Sequence, residues 1–250
     1  MNNPYVQNVA SEFIAILILV LAGYVTYRLT GRRQLLAFFH IGNPKRFLVY
    51  LSRITVAQGG SLGVNGQSLA FAGPTFSVTE VEIIGPAQRL FNYIVPGVDG
   101  LPGFLKSVLI SDVAVDFLPS PLNPKDVDSQ TPFLTLGSPG YNAVSQKVQT
   151  DCAPLAKFEP DNFQVSIYNL GTMKDASIGF LVRSCHPSSG QVSYYAAGPA
   201  SVGTAGAAIY LIKNWRHLQK KFGNDVPFVV LLRFRSQDPR QYEVVAEKGQ

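Results

Sequence analysis

The chain has 250 residues, a formal net charge of +5, 46% hydrophobic residues and only 15% charged ones. Five cations, Arg28, Arg32, Arg33, Lys45 and Arg46, follow a single apolar segment. The remainder is near neutrality, which excludes the basic face that nucleic-acid binding requires, while the length suits one domain with a full core.

That apolar segment, residues 13–29, reads FIAILILVLAGYVTYRL, with its only charge at Arg28. At about 1.5 Å per residue it nearly spans a hydrocarbon core of about 30 Å. A cleaved signal peptide is disfavoured, since no Lys or Arg precedes the run and no small-residue cleavage site follows it. The sequence therefore predicts a short extracytoplasmic N-terminus (1–12), a transmembrane helix (13–30), a juxtamembrane linker (31–44) and a cytosolic domain (45–250). The cationic flank keeps the C-terminal side in the cytoplasm. Each of those cations contributes about 1 kcal/mol of attraction to anionic lipid. The expected location is the inner (cell) membrane, single-pass, with the lipid bilayer as partner. Leu35, Leu36, Phe38 and Phe39 suit a short helix in the headgroup region or the last turns of a continuous helix.

Phe47–Val56 is rich in β-branched and aromatic residues and reads as a strand, followed by a glycine-rich stretch, Gly59–Gly66. Thr75–Tyr93 reads as a helix with Val78, Val81, Ile84, Leu90 and Phe91 as its stripe and a kink at Pro86. Leu101–Leu109 is a short helix, Val113–Leu118 a strand, and Pro119–Gln130 a surface loop. Thr131–Leu136 is a strand leading to a helix from Ala143. Phe163–Tyr168 and Ile178–Arg183 read as two antiparallel strands, and Val192–Ala197 as another. Ala207, Ala208, Leu211, Trp215, Leu218 and Phe222 recur at helical spacing, and Gly223 ends that helix. Pro227–Phe234 is a continuous apolar strand, as expected for one covered on both faces. Alternating strands and helices predict an α/β fold, a Rossmann-like three-layer sandwich with a mixed sheet, preceded by one N-terminal transmembrane helix.

Three Gly/Pro loops each precede a predicted helix: Ala72-Gly73-Pro74-Thr75, Gly137-Ser138-Pro139-Gly140-Tyr141-Asn142, and Gly198-Pro199 through Thr204. Ligands of open α/β sheets bind where such loops converge beyond the carboxyl ends of the strands, and helix starts there favour anions such as phosphate. The candidate ligand-binding residues are Gly73, Thr75, Gly137, Ser138, Asn142, Gly198, Ser201, Gly203 and Thr204. Gly198–Thr204 lacks the lysine of a Walker A loop, so no ATPase is indicated. Glu80 and Glu82 are the candidate catalytic carboxylates. Being two apart on a helix, at most one faces a crevice, and Glu82, beside Val78 and Val81, is expected to border the buried stripe while Glu80 points elsewhere. The two cysteines have no CxxC spacing, and the three histidines are not paired at ligand spacing, so no metal site is expected.

Phe47–Arg53, Gly137–Asn142 and Gly198–Thr204 together resemble the Rossmannoid nucleotide-handling domains of bacterial signalling and defence systems, in particular the SLOG, nucleoside deoxyribosyltransferase and TIR groups. Gly198-Pro199 with Gly203-Thr204 is similar to the SLOG loop, without its glutamate. Leu51-Ser52 with Glu80 or Glu82 resembles the TIR arrangement of a strand-end serine and a later catalytic glutamate. The resemblance implies a sensor or effector domain that binds a nucleotide-derived ligand, such as NAD or another nucleotide; carried on the expected anchor, it would report or respond to that ligand at the membrane, with a homo-oligomer formed through the domain as one route. Hydrolysis of an N-glycosidic bond in NAD or a nucleoside is the first alternative, and a tethered adaptor with a degenerate pocket the second.

Overall fold

The computed structural model describes residues 19, 20, 23, 24, 26, 30–52, 78–91, 113–128, 130–151, 155–159, 164–186 and 189–250. Within them lie β1 (Arg46–Leu51), α1 (Val78–Val81), α2 (Ile84–Phe91), β2 (Ala114–Pro119), β3 (Phe133–Leu136) and α3 (Ala143–Asp151). There follow β4 (Ala156–Glu159), β5 (Gln164–Ile167), β6 (Gly171–Lys174), β7 (Ile178–Cys185), β8 (Val192–Ala197), α4 (Ser201–Phe222), β9 (Phe228–Phe234) and β10 (Tyr242–Gly249). Residues 30–38 are helical as well.

Seven strands form one mixed sheet in the order β10-β9-β7-β8-β3-β1-β2. Its β2-β1-β3-β8 part is parallel. β7 runs antiparallel to both β8 and β9, and β10 closes the far edge antiparallel to β9. The central strands are buried on both faces, which is why β7, β8 and β9 are almost unbroken apolar runs. One face is covered by α2, α4 and the segment 30–41, through Phe91, Ile209, Trp215, Leu35 and Phe38 among others. The other carries α3 together with a separate antiparallel sheet, β4-β5-β6, through Val144, Val148, Phe158, Val165 and Ile167. The expected sandwich is corrected in this respect: its second outer layer is largely a small sheet, not a row of helices. The strands around Phe163–Tyr168 and Ile178–Arg183 consequently lie in different sheets, because β5 pairs with β4 and β6 while β7 joins the main sheet.

The N-terminal expectation is also corrected. Among the described residues no helix is long and apolar enough to cross a membrane. Of the expected transmembrane segment only residues 19, 20, 23, 24, 26 and 30 are described. The stretch assigned to a juxtamembrane linker is part of the core: Leu35, Phe38, Phe39 and Ile41 are buried. Phe39 meets Phe47 of β1, Phe91 of α2 and Tyr194 of β8 at ring distances of 5.0–5.3 Å, and Tyr194 donates its hydroxyl to Phe38 O at 2.6 Å. The apolar residues that read as headgroup-facing are thus used to cover the sheet, where each large side chain contributes about 2 kcal/mol of burial.

The helix expected over Thr75–Tyr93 is two helices, interrupted at Glu82 and Ile83. Pro86 supplies the reason: its ring excludes the carbonyl four residues earlier, at Glu82, whereas proline is tolerated in the first turn of α2. The Gly59–Gly66 stretch and the helix expected at Leu101–Leu109 lie outside the described residues.

Candidate functional site

The first described helices after β1, α1 and α2, lie on the face that carries α4, and the helix after β3, α3, lies on the opposite face. β1 and β3 are adjacent and parallel, so their carboxyl ends border a topological switch point, the place where open α/β sheets bind ligands.

Three side chains meet there. Ser52 follows the last residue of β1; its N–H donates to Glu80 Oε2 at 2.8 Å and its hydroxyl to Leu136 O at the end of β3 at 3.1 Å. Asn142, 1% exposed, donates its amide to the same Leu136 O at 2.7 Å. Glu80 is only 4% exposed. Burial pushes its carboxyl above the usual glutamate range, against the opposing hydrogen bonds from Ser52, and no cation neighbours it among the described residues.

Glu80 and Glu82 exchange the positions expected of them. α1 packs against α4, which turns Glu80 inward, while Val81 and Glu82 are exposed. The break at Glu82 removes it from the apolar stripe of α2, where Ile83, Ala87 and Phe91 are the buried residues.

The loop after β3 is shaped by Gly137, whose φ is +86°. A methyl group there would overlap Ser52 Oγ and lie 3.1 Å from Glu80 Oε1. The Gly137 N–H is held by Ala196 O at 3.0 Å. Next to it, the Ser138 hydroxyl is buried and has no hydrogen-bond partner among the described residues. Asn142 is the cap of α3: its Oδ1 accepts from Val144 N at 2.9 Å and Ser145 N at 3.2 Å. Ser120 Oγ takes Ala143 N at 3.0 Å. The first three N–H groups of α3 are therefore spoken for, and this helix start is not open to a phosphate as expected.

The third loop is a packing device. A Cβ on Gly198 would approach Ile178 O to 2.6 Å, and one on Gly203 would overlap the same carbonyl. Gly179 of β7 faces Gly203 in the same way, so glycines on both sides let α4 rest directly on the sheet. Thr204 is buried at 4% exposure. Of the four residues expected to touch a ligand here, only Ser201 is exposed, at a helix start where Ala200 supplies no side-chain cap. Gly73 and Thr75 lie outside the described residues.

The structure thus brings Glu80, Gly137, Ser138 and Asn142 to one place, joined by Ser52. Ser120, which closes the α3 start from the end of β2, carries no local signal, because its partner is 23 residues away. No group of three metal-ligating side chains occurs among the described residues. No family model matches the chain, and no curated protein or solved structure matches it either.

Proposed function

We propose that the chain is a sensor or effector domain that binds a nucleotide-derived small molecule at the β1/β3 switch point, with Glu80 as the group that recognises it. One observation carries this reading: a buried carboxylate, without a cation beside it among the described residues, is held between the ends of two adjacent parallel strands by the Ser52 N–H. A buried carboxylate that does not serve an ion pair is costly to keep, and such groups concentrate at functional sites. The ligand's phosphate, where it carries one, has the uncapped start of α4 near Ser201 available, and not the occupied start of α3.

A second reading is favoured by the raised affinity of Glu80 for its proton. A carboxyl group of that kind suits proton transfer, and the reaction would be hydrolysis of an N-glycosidic bond. The C1′–N bond breaks and the hydroxyl of water ends on C1′, while the remaining proton goes to the departing base of a nucleoside or, with NAD, whose nicotinamide leaves neutral, to Glu80 and then to solvent.

The test incubates the full-length chain with NAD, mononucleotides and cyclic oligonucleotides, followed by ultrafiltration and mass spectrometry. Retention of one compound unchanged, lost in Glu80→Gln, supports the sensor. Release of a free base, lost in the same variant, supports the hydrolase. A panel neither retained nor altered overturns both and leaves an adaptor with a degenerate pocket.

A further inference from the structure

We propose that the outer face of α4, together with the helical segment 30–38, is a docking surface for an anionic lipid membrane, which the chain touches from one side without crossing it. The surface is separate from the switch point and needs no ligand there. The near-neutral charge of the rest of the chain conceals it, because cations and carboxylates are sorted unevenly over the two faces of the main sheet.

The two segments form one surface. A Cβ on Gly31 would lie 3.3 Å from the Arg216 guanidinium, and Gln219 Nε2 donates to Gln34 O at 3.2 Å. Val202 to Ile212 of α4 are buried, so its solvent face begins at Lys213 and continues through Arg216, Lys220 and Lys221. Arg33 extends it on the neighbouring segment. Neither residues 30–41 nor α4 contain a carboxylate. Neighbouring elements add Glu82 after α1, Asp225 beyond the end of α4 and Glu247 of β10, and the last is taken by Lys221 at 2.7 Å and His217 at 3.0 Å. Arg33, Lys213 and Lys220 form no ion pair among the described residues. On the opposite face cations are interleaved with carboxylates: Lys147 pairs with Asp151, Lys157 with Glu159 and Arg233 with Asp175.

A neighbouring apolar group favours a membrane over a nucleic acid. Leu19 and Val20, helical residues shortly before the segment, are 71% and 63% exposed. Large apolar side chains ahead of a cationic stretch are the composition of an interfacial helix, in which apolar burial and attraction to anionic headgroups add. A phosphodiester backbone would use the cations and give Leu19 and Val20 nothing to bury against. Each Lys or Arg held at an anionic surface contributes about fivefold to binding, within about a Debye length and less at high salt.

The experiment sediments the full-length chain with vesicles of phosphatidylcholine alone and of phosphatidylcholine and phosphatidylglycerol in equal parts, at low and at raised salt. The expected result is tighter binding to the anionic vesicles, with the excess lost at raised salt. Binding to phosphatidylcholine reports the apolar N-terminal residues and is common to all variants. The triple variant Arg33→Gln, Lys213→Gln, Lys220→Gln should lower the anionic excess on the order of 100-fold. The variant Lys125→Gln, Lys157→Gln, Lys174→Gln makes the same charge change at exposed positions on the opposite face and should keep the excess. Both should melt as the wild type does; if the first does not, Lys213→Gln and Lys220→Gln alone should each cost about fivefold. Equal binding to the two kinds of vesicle overturns the proposal, and so does an equal loss in both triple variants, which would reflect net charge and not this face. An RNA or DNA oligonucleotide bound more tightly than the anionic vesicles, through the same lysines, also overturns it.

Discussion

Gly137 is placed where a methyl group would overlap the Ser52 hydroxyl, and its φ of +86° is one that side-chain-bearing residues rarely adopt. The two residues end neighbouring parallel strands, so this close approach is what lets Ser52 reach Leu136 O and present its N–H to Glu80. Gly137→Ala meets two costs, the left-handed backbone at about 1–2 kcal/mol and displacement of Ser52. We expect a loss of about 3 kcal/mol in urea-induced unfolding. A loss below about 0.5 kcal/mol, the range of an ordinary surface change, would show that the strand ends are not so tightly joined.

Glu80 makes stability depend on pH in a direction that can be worked out. Burial raises its affinity for a proton in the folded state. Between the ordinary glutamate value and the higher folded one, the folded chain binds the extra proton and the unfolded chain does not. The contribution of Glu80 to stability is therefore complete in acid and declines as pH rises through that window. Gln cannot ionise and still accepts the Ser52 N–H. Glu80→Gln should therefore melt above the wild type at about pH 7, and the two should converge towards about pH 4. A difference that grows in acid would contradict the assignment.

The contact of Gly203 with Gly179 yields a third expectation. A methyl group at either position meets backbone, which cannot swing aside as a side-chain end can. Gly203→Ala should separate α4 from β7 and lower Tm by several degrees, at about 2–4 °C per kcal/mol for a chain of this size. The reverse outcome, unchanged Tm with altered ligand binding, would restore the loop to the ligand-contacting role that its Gly/Pro composition suggests.

These residues also mark how far the sequence could be read. β8, α4 and β9 were legible because burial on both faces, or a helical repeat over 22 residues, writes a long apolar pattern. β4, β6 and β10 were not, since short or edge strands with exposed positions carry no such pattern. The loop at Gly137–Asn142 was legible as a site, but its helix-start logic pointed to an anion, and only the side-chain bonds of Asn142 and Ser120 show that start to be occupied. Read as one continuous helix, the sequence puts Glu80 on the wrong side, since it is Glu80 that is buried and Glu82 that is exposed. Pro86 held the correction: counting four residues back places the break at Glu82 and frees α1 to turn Glu80 inward. Leu35, Leu36, Phe38 and Phe39 read as headgroup-facing in the sequence, because hydrophobicity alone does not say whether a side chain meets lipid or a sheet.

Arg183 is the least expected buried side chain, a cation in the middle of β7 with no exposure. Its guanidinium lies beside the rings of both Phe38 and Phe228, 5.1 Å and 4.8 Å from their centres. It donates to Gly223 O at 3.0 Å and to Val226 O at 3.1 Å through Nε, with a second bond to Val226 O from the guanidinium tip. No carboxylate pairs with it among the described residues. Its compensation comes from carbonyls just past the end of α4, where the helix dipole is negative, and from the two aromatic faces. Arg183→Met keeps the stem volume but leaves those carbonyls unsatisfied in a closed site. We expect a loss of about 3 kcal/mol, between the cost of orphaned acceptors and that of a broken buried pair. Arg183→Lys should recover only part of it, because an ammonium cannot span both carbonyls as the planar fork does. Since Phe38 belongs to the helical segment 30–38, Arg183→Met should also expose that segment to faster amide hydrogen exchange. Protection unchanged there would mean that the contacts of Phe38 and Phe39 with Phe47, Phe91 and Tyr194 hold the segment without Arg183.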